Sequence, residues 1–306
     1  MRIFLKIFQF DSVSTSFVEK ELAKHEINSL NIVQNIEFCI IQWEDDVVDL
    51  RLKGKTALIT GASKGIGAGL ARVLAAEGCN LHLAARNGKA MQTLKAELTS
   101  GFDISVTVHE ADLSSSKAMN ELDAEAADYD ILFNNAGDIP AGDIEEVSDE
   151  AIRKGFDLKV FGYISLSRAF WKRRKSRDGV IVNIIGNSGE NWDAAYFAGS
   201  TGNAALMSFT KALGGRSLNH GIRIVGVNPG PVATDRMLKI MKRKSIDMLG
   251  DESRWEELYD LYPGKRPATV KEVADLCAFL ASPLAGYITG TIITIDGGIS
   301  ARGSVI

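Results

Sequence analysis

Leu58-Ile59-Thr60-Gly61-Ala62-Ser63-Lys64-Gly65-Ile66-Gly67 is an apolar run that breaks into glycines and passes into the helical pattern Ala68-Gly69-Leu70-Ala71-Arg72-Val73-Leu74-Ala75. The order predicts a strand, a phosphate-binding loop and a helix. Gly61, Gly65 and Gly67 let the backbone turn sharply, approach a diphosphate with no side chain between, and pack the helix close to the strand. The first N–H groups of the helix lack an intrahelical partner and face the anion. Glycine-rich turns are common, so reading this one as a nucleotide site requires that a second half follow in order.

It does follow. From Lys55 onward, apolar runs alternate with helix-length amphipathic segments. Strands are expected at Thr56–Thr60, Asn80–Ala85, Ser105–His109, Ile131–Asn134, Val180–Ile185, Ile222–Val227 and Thr291–Ile295, with helices beginning near Gly65, Lys89, Ser114, Asp149, Gly199 and Lys271. Such alternation specifies an α/β fold, a parallel sheet of about seven strands flanked by helices on both faces. Neither a repeat nor a low-complexity linker interrupts it, so residues 49–306 read as one domain. Residues 1–48 differ: Arg2-Ile3-Phe4-Leu5-Lys6-Ile7-Phe8 is broken by Lys6, and no small-residue cleavage site follows at a signal-peptide distance. Weak helical periodicity over 17–30 and a strand-like run over 36–43 carry no motif. This segment is an N-terminal extension without an assigned role, and translation is expected to begin near Val47 or Val48.

With 306 residues, 45% hydrophobic and 24% charged, the chain can bury a large core. A formal charge of −4 gives no electrostatic footprint for nucleic acid, and no apolar run is long enough to span a bilayer. Cys39, Cys79 and Cys277 have neither zinc-site spacing nor the even count of a disulfide framework; they read as small apolar residues of a cytoplasmic protein. The basic run Lys172-Arg173-Arg174-Lys175-Ser176-Arg177 reads as solvated charge at a helix C-terminus.

After the second strand, a site for NAD places an acid on the ribose 2′-hydroxyl, and a site for the 2′-phosphate replaces that acid and supplies a cation. Here Ala85 stands where the acid would be, with Arg86 beside it, and Lys64 adds a second positive charge. NADP(H) is therefore expected over NAD(H). Downstream, Asp112-Leu113 follows the third strand and Asn134-Asn135-Ala136-Gly137 follows the fourth, at strand C-termini, where open α/β sheets bind ligands.

Together with Asn228-Pro229-Gly230-Pro231-Val232-Ala233-Thr234 and Ile295-Asp296-Gly297-Gly298, these motifs make the chain from about Leu52 to Ala301 resemble the short-chain dehydrogenase/reductase family. The resemblance implies a doubly wound Rossmann fold and a carbonyl–alcohol oxidoreductase. It places Asp112 on the adenine, Asn134 in the central strand beside the cofactor, and Pro229, Gly230 and Thr234 along the nicotinamide. The expected cofactor-binding set is Gly61, Ser63, Lys64, Gly65, Ile66, Gly67, Arg86, Asp112, Leu113, Asn134, Ala136, Gly137, Pro229, Gly230, Val232 and Thr234. No metal site is expected.

The family's chemistry uses an Asn–Ser–Tyr–Lys set, because a phenol that titrates near pH 10 needs a nearby cation to exchange protons at neutral pH. Tyr196 is followed four residues on by Ser200, not lysine. The gapless continuation Ala204-Ala205-Leu206-Met207-Ser208-Phe209-Thr210-Lys211 instead puts Gly199 at the tyrosine position and Asn203 at the lysine position. Gly186 then falls at the serine position and Lys159 at the asparagine position. Either hydride-transfer chemistry has been lost, leaving a silent NADP-binding relative that senses or scaffolds, or the set is rearranged. In the rearranged set Lys159 and Asn203 exchange roles, Tyr196 leans over Gly199, and Ser188 replaces the missing hydroxyl, with Asn187 as an alternative donor. On a continuous helix Tyr196 would lie within reach of Gly199.

Between Thr234 and Pro267, the stretch Arg236-Met237-Leu238-Lys239-Ile240-Met241-Lys242 and the aromatics Trp255, Tyr259 and Tyr262 occupy the family's lid region, which suggests a small apolar substrate. The resemblance also implies a homodimer or homotetramer, built through the helices at 149–173 and 199–219 and the last strand.

Overall fold

A computed structural model of the chain describes residues 48–302. The chain divides into units of residues 1–49 and 50–306, and the sheet lies in the second. The segments expected at 17–30 and 36–43, and Cys39, lie outside the described residues.

Seven parallel strands form one sheet: β1 (Thr56–Thr60), β2 (Asn80–Ala85), β3 (Val106–Glu110), β4 (Ile131–Asn134), β5 (Gly179–Ile184), β6 (Ile222–Pro229) and β7 (Thr291–Ile295), in spatial order β3-β2-β1-β4-β5-β6-β7. Helices α1 (Gly65–Ala76), α2 (Gly88–Gly101) and α8 (Val270–Ala281) cover one face, and α3 (Ser116–Ala126) and α5 (Gly162–Arg174) cover the other. Two-residue alternation sorts β1 between them, with Ala57 and Ile59 in the first core and Leu58 in the second. Strands apolar on both sides are what a sheet covered on both faces requires. The strand order reverses between β1 and β4, and a crevice opens there at the carboxyl ends.

Boundaries shift for local reasons. The Ser105 N–H goes to Asn80 Oδ1, at 2.9 Å, and β3 begins one residue later. Pairing of Pro229 with Ile295 carries β6 two residues past the expected turn. Ser115 caps α3, so that helix starts at Ser116. The helix expected as one run from Asp149 is α4 (Asp149–Phe156), a π-helical turn (Asp157–Phe161) and then α5. Helix α6 (Phe197–Gly214) begins two residues early, which leaves Tyr196 at its N-cap with φ −142° and ψ 34°. Tyr196 is therefore the non-helical N-cap and does not share a continuous helix with Gly199. Helix α7 (Asp235–Leu249) follows β6.

The basic run is solvated at Lys172, Lys175 and Arg177, as expected, but not at Arg173 and Arg174. Arg173 pairs with Asp123 at 2.6 Å, and Arg174, 9% exposed at its side chain, pairs with Asp128 at 3.1 Å and Asp130 at 2.9 Å. Three acids from α3 and the turn before β4 converge on the end of α5, a partnership between segments about 45 residues apart.

Candidate active site

The loop after β1 is built for close approach. Gly61 and Gly65 have φ of +66° and +54°, in the region glycine favours, and a Cβ at Gly61 would lie 2.9 Å from Ala136 Cα. A Cβ at Gly67 would lie 2.4 Å from Gly61 O, so Gly67 packs behind the loop. No side chain caps α1, which leaves its first N–H groups open. Asn135, quoted in the motif after the fourth strand but absent from the expected cofactor-binding set, clamps the loop: its Nδ2 donates to Thr60 O (2.9 Å) and Gly61 O (3.3 Å), while Thr60 Oγ1 accepts from the N–H groups of Asn135 and Ala136. Its place beside Asn134 was the available signal. Its long-range partner was not.

A cavity of about 740 Å³ opens over this loop. Gly61, Ser63, Lys64, Gly65, Ile66, Arg86, Asp112, Leu113, Ala136, Gly137 and Thr234 from the expected set line it. The others lie behind. Asn134 is fully buried in the sheet, donating to Asn183 Oδ1 (2.9 Å) and Ser167 Oγ (3.1 Å). Pro229 is within β6, Gly230 packs on Asp296, and Val232 is buried in the core. The Asp112 carboxyl is held below its usual range mainly by the Ser114 N–H and hydroxyl, and Arg86 and Lys154 add to this. Asp138 stands between two cavity cations, 4.0 Å from Arg86 and 3.7 Å from Arg236.

Lys159, on the π-helical turn, runs beside Gly137, where a Cβ would meet its Cδ at 2.8 Å. Its Nζ donates to Ile185 O (2.5 Å) and Asn203 Oδ1 (2.8 Å), and Asn203 Nδ2 donates to Ser188 Oγ (2.7 Å). Gly186, with φ +136°, makes room for this chain: a Cβ there would lie 2.9 Å from Asn203 Nδ2. Burial, and secondarily the charge of Arg236, lowers the Lys159 pKa to about 7. Asn187 donates to Asp296 Oδ2 (3.3 Å) and is committed elsewhere. The Tyr196 ring covers Gly199, where a Cβ would lie 2.0 Å from its Cζ. Burial raises the Tyr196 pKa, against the charge and hydrogen bonding of Arg236, and Asp138 adds a smaller upward push.

The structure thus brings together Lys159, Asn203 and Ser188, and seats Tyr196 over Gly199 beside Arg236, which the sequence reading did not assign. Among the described residues, no cluster of His, Cys, Asp or Glu is placed to hold a metal, and no helix is long and apolar enough to cross a membrane.

Residues 61–300 match a family model described as Enoyl-(Acyl carrier protein) reductase. Galactitol 2-dehydrogenase (L-tagatose-forming) from Cereibacter sphaeroides is 34% identical over 81% of this chain and 96% of its own length. The chain belongs to the short-chain dehydrogenase/reductase family. The NADPH-dependent reductase BacG of Bacillus subtilis is 32% identical over 80% of this chain and 97% of its own. Among solved structures, L-sorbose reductase from Gluconobacter frateurii, complexed with NADPH and L-sorbose, superposes with a TM-score of 0.77 at 28% identity, covering 84% of this chain and all of that one. These short-chain dehydrogenase/reductase relatives are oxidoreductases, and the Rossmann-like sheet described above is theirs.

Proposed function

We propose that the protein is an NADP(H)-dependent oxidoreductase that interconverts a carbonyl and an alcohol on a small apolar substrate with a rearranged catalytic set. The observation that carries this reading is the hydrogen-bonded chain Lys159–Asn203–Ser188 beside a phenol seated over Gly199. The side-chain-free cradle at Gly61 and Gly65, the open N-terminus of α1 and the cations Lys64 and Arg86, with Ala85 in place of an acid, fit a dinucleotide carrying a 2′-phosphate. When bound, the reduced dinucleotide supplies a hydride to the carbonyl carbon.

The chain's own residues handle the proton and the orientation. Ser188 Oγ accepts from Asn203, so its hydrogen is free to donate to a carbonyl oxygen. Lys159 holds Asn203 in that orientation. Tyr196 is the proton donor for reduction. Ile139, Pro140, Ala141, Leu158 and Ile240 add apolar surface to the cavity lining, which supports an apolar substrate.

One observation favours the second reading, a silent NADP-binding relative that senses or scaffolds: the Tyr196 pKa is raised, not lowered. Reduction by NADPH of a panel running from ketoses such as L-sorbose to apolar ketones separates the two. Turnover by wild type, with a loss of roughly 100-fold or more in Tyr196→Phe and Lys159→Ala, is expected. No turnover on any substrate supports the silent reading, and full activity of Tyr196→Phe removes the rearranged set.

A further inference from the structure

Helix α7 delivers a guanidinium to the edge of this cluster. Thr234 caps the helix and rests its Cγ2 3.4 Å from where a Cβ of Gly65 would be, which sets the first turn over the cavity mouth. Arg236, the second residue of that turn, is tethered from the other side. Its Nη2 donates to Ile139 O at 3.2 Å, and its Nη1 stands 3.7 Å from Asp138 Oδ1. The segment that holds it is joined to the tyrosine. Ile139 is buried, with Cδ1 2.8 Å from where a Cβ of Gly202 would be, one turn along α6 from Gly199, and the Gly142 N–H donates to Ala195 O at 2.8 Å in a bridge with Tyr196. The backbone at Tyr196, the segment from Asp138 to Gly142 and the guanidinium are therefore linked in one series of contacts.

The amine that the rearranged set would offer is engaged elsewhere. Lys159 donates to Ile185 O and Asn203 Oδ1. The charged groups that act on the Tyr196 phenol come from two elements: Arg236 on α7, which favours the phenolate, and Asp138 on the segment after β4, which opposes it. We propose that Arg236 is the positioning residue that stabilises the Tyr196 phenolate, taking the cationic role of the lysine that the Tyr-x-x-x-Lys pattern would provide. The inference rests on Tyr196 being the proton donor. In reduction, the Tyr196 O–H bond breaks, the proton passes to the oxygen of the reduced carbonyl, and the bonding pair stays on the phenol oxygen beside the guanidinium. The phenolate then regains a proton from solvent.

The test is a spectroscopic titration of tyrosinate in the full-length protein without added cofactor, with the Tyr196→Phe curve subtracted to isolate this phenol. Arg236→Gln is expected to move the titration up by about one pH unit or more, and Arg236→Lys by less, because an opposite charge within a few ångströms favours the ionised form. Asp138→Asn is expected to move it down, since it removes an opposing charge. Opposite signs for the two charge removals separate electrostatics from a disturbed fold, and the Asp138 and Lys variants read the same charge even where Arg236→Gln does not fold. An unmoved titration in the Arg236 variants, or upward movement in Asp138→Asn, overturns the inference. Carbonyl reduction by Tyr196→Phe at the wild-type rate instead overturns the reading beneath it, whatever the titration does.

Discussion

Arg86 lines the cavity at the end of β2, with its side chain 62% exposed and, among the described residues, an ion pair to Asp138 at 4.0 Å. A guanidinium with so loose a partner can fork onto a phosphate with little to give up. If it binds a 2′-phosphate, Arg86→Ala should weaken NADP+ binding by roughly tenfold to a hundredfold, the worth of a hydrogen bond to a charged group, and leave NAD+ binding almost unchanged. Calorimetric titration with both dinucleotides measures this; equal loss for the two would remove the case for NADP(H). The same scale explains why Tyr196 and Gly199 had to be read together. The ring uses the space that a side chain at Gly199 would fill, so each residue taken alone is uninformative.

The π-helical turn Asp157–Phe161 is the element that the helical periodicity concealed. An extra residue in the turn rotates the side chains that follow, and such turns recur at functional sites. Here it carries Lys159 into a buried position against Ile185 O and Asn203. Burial depresses the amine from its ordinary 10.5 to about 7. Above about pH 7 the folded protein holds this amine neutral, while the unfolded chain still binds the proton until about 10.5. Stability from this group therefore rises with pH across that window and is lost as pH falls towards 7, an effect on the order of a few kcal/mol over the whole interval. Urea unfolding of the protein without cofactor should show a slope between pH 7 and 9 that Lys159→Met flattens. Matching slopes for the two proteins would mean that the amine stays charged when buried.

At the scale of the molecule, β7 is an edge strand whose side chains are only partly covered, and Ala204 and Ala205 lie exposed on α6. Small residues on an exposed helix face permit close approach of a second copy. With the assembly that the family resemblance implies, sedimentation velocity should find a species of two or four 33.1 kDa chains, and a monomer at all concentrations would contradict it. The α/β alternation, the glycine loop after β1 and the strands were legible in the chain because each rests on local apolar periodicity and on glycines whose backbone need is local. Four strands, beginning at Thr56, Asn80, Ile131 and Thr291, have the expected bounds. Less local facts were not legible. That Arg173 and Arg174 are ion-paired depends on Asp123, Asp128 and Asp130 arriving from another element. Asn135 matters because β4 lies beside β1, and Arg236 matters because the start of α7 lines the cavity. Residue types and their spacing set the fold and the side-chain-free glycine loop. Which charges meet Tyr196, and whether Lys159 is buried, depend on contacts between segments tens of residues apart, and spacing along a chain carries no record of those.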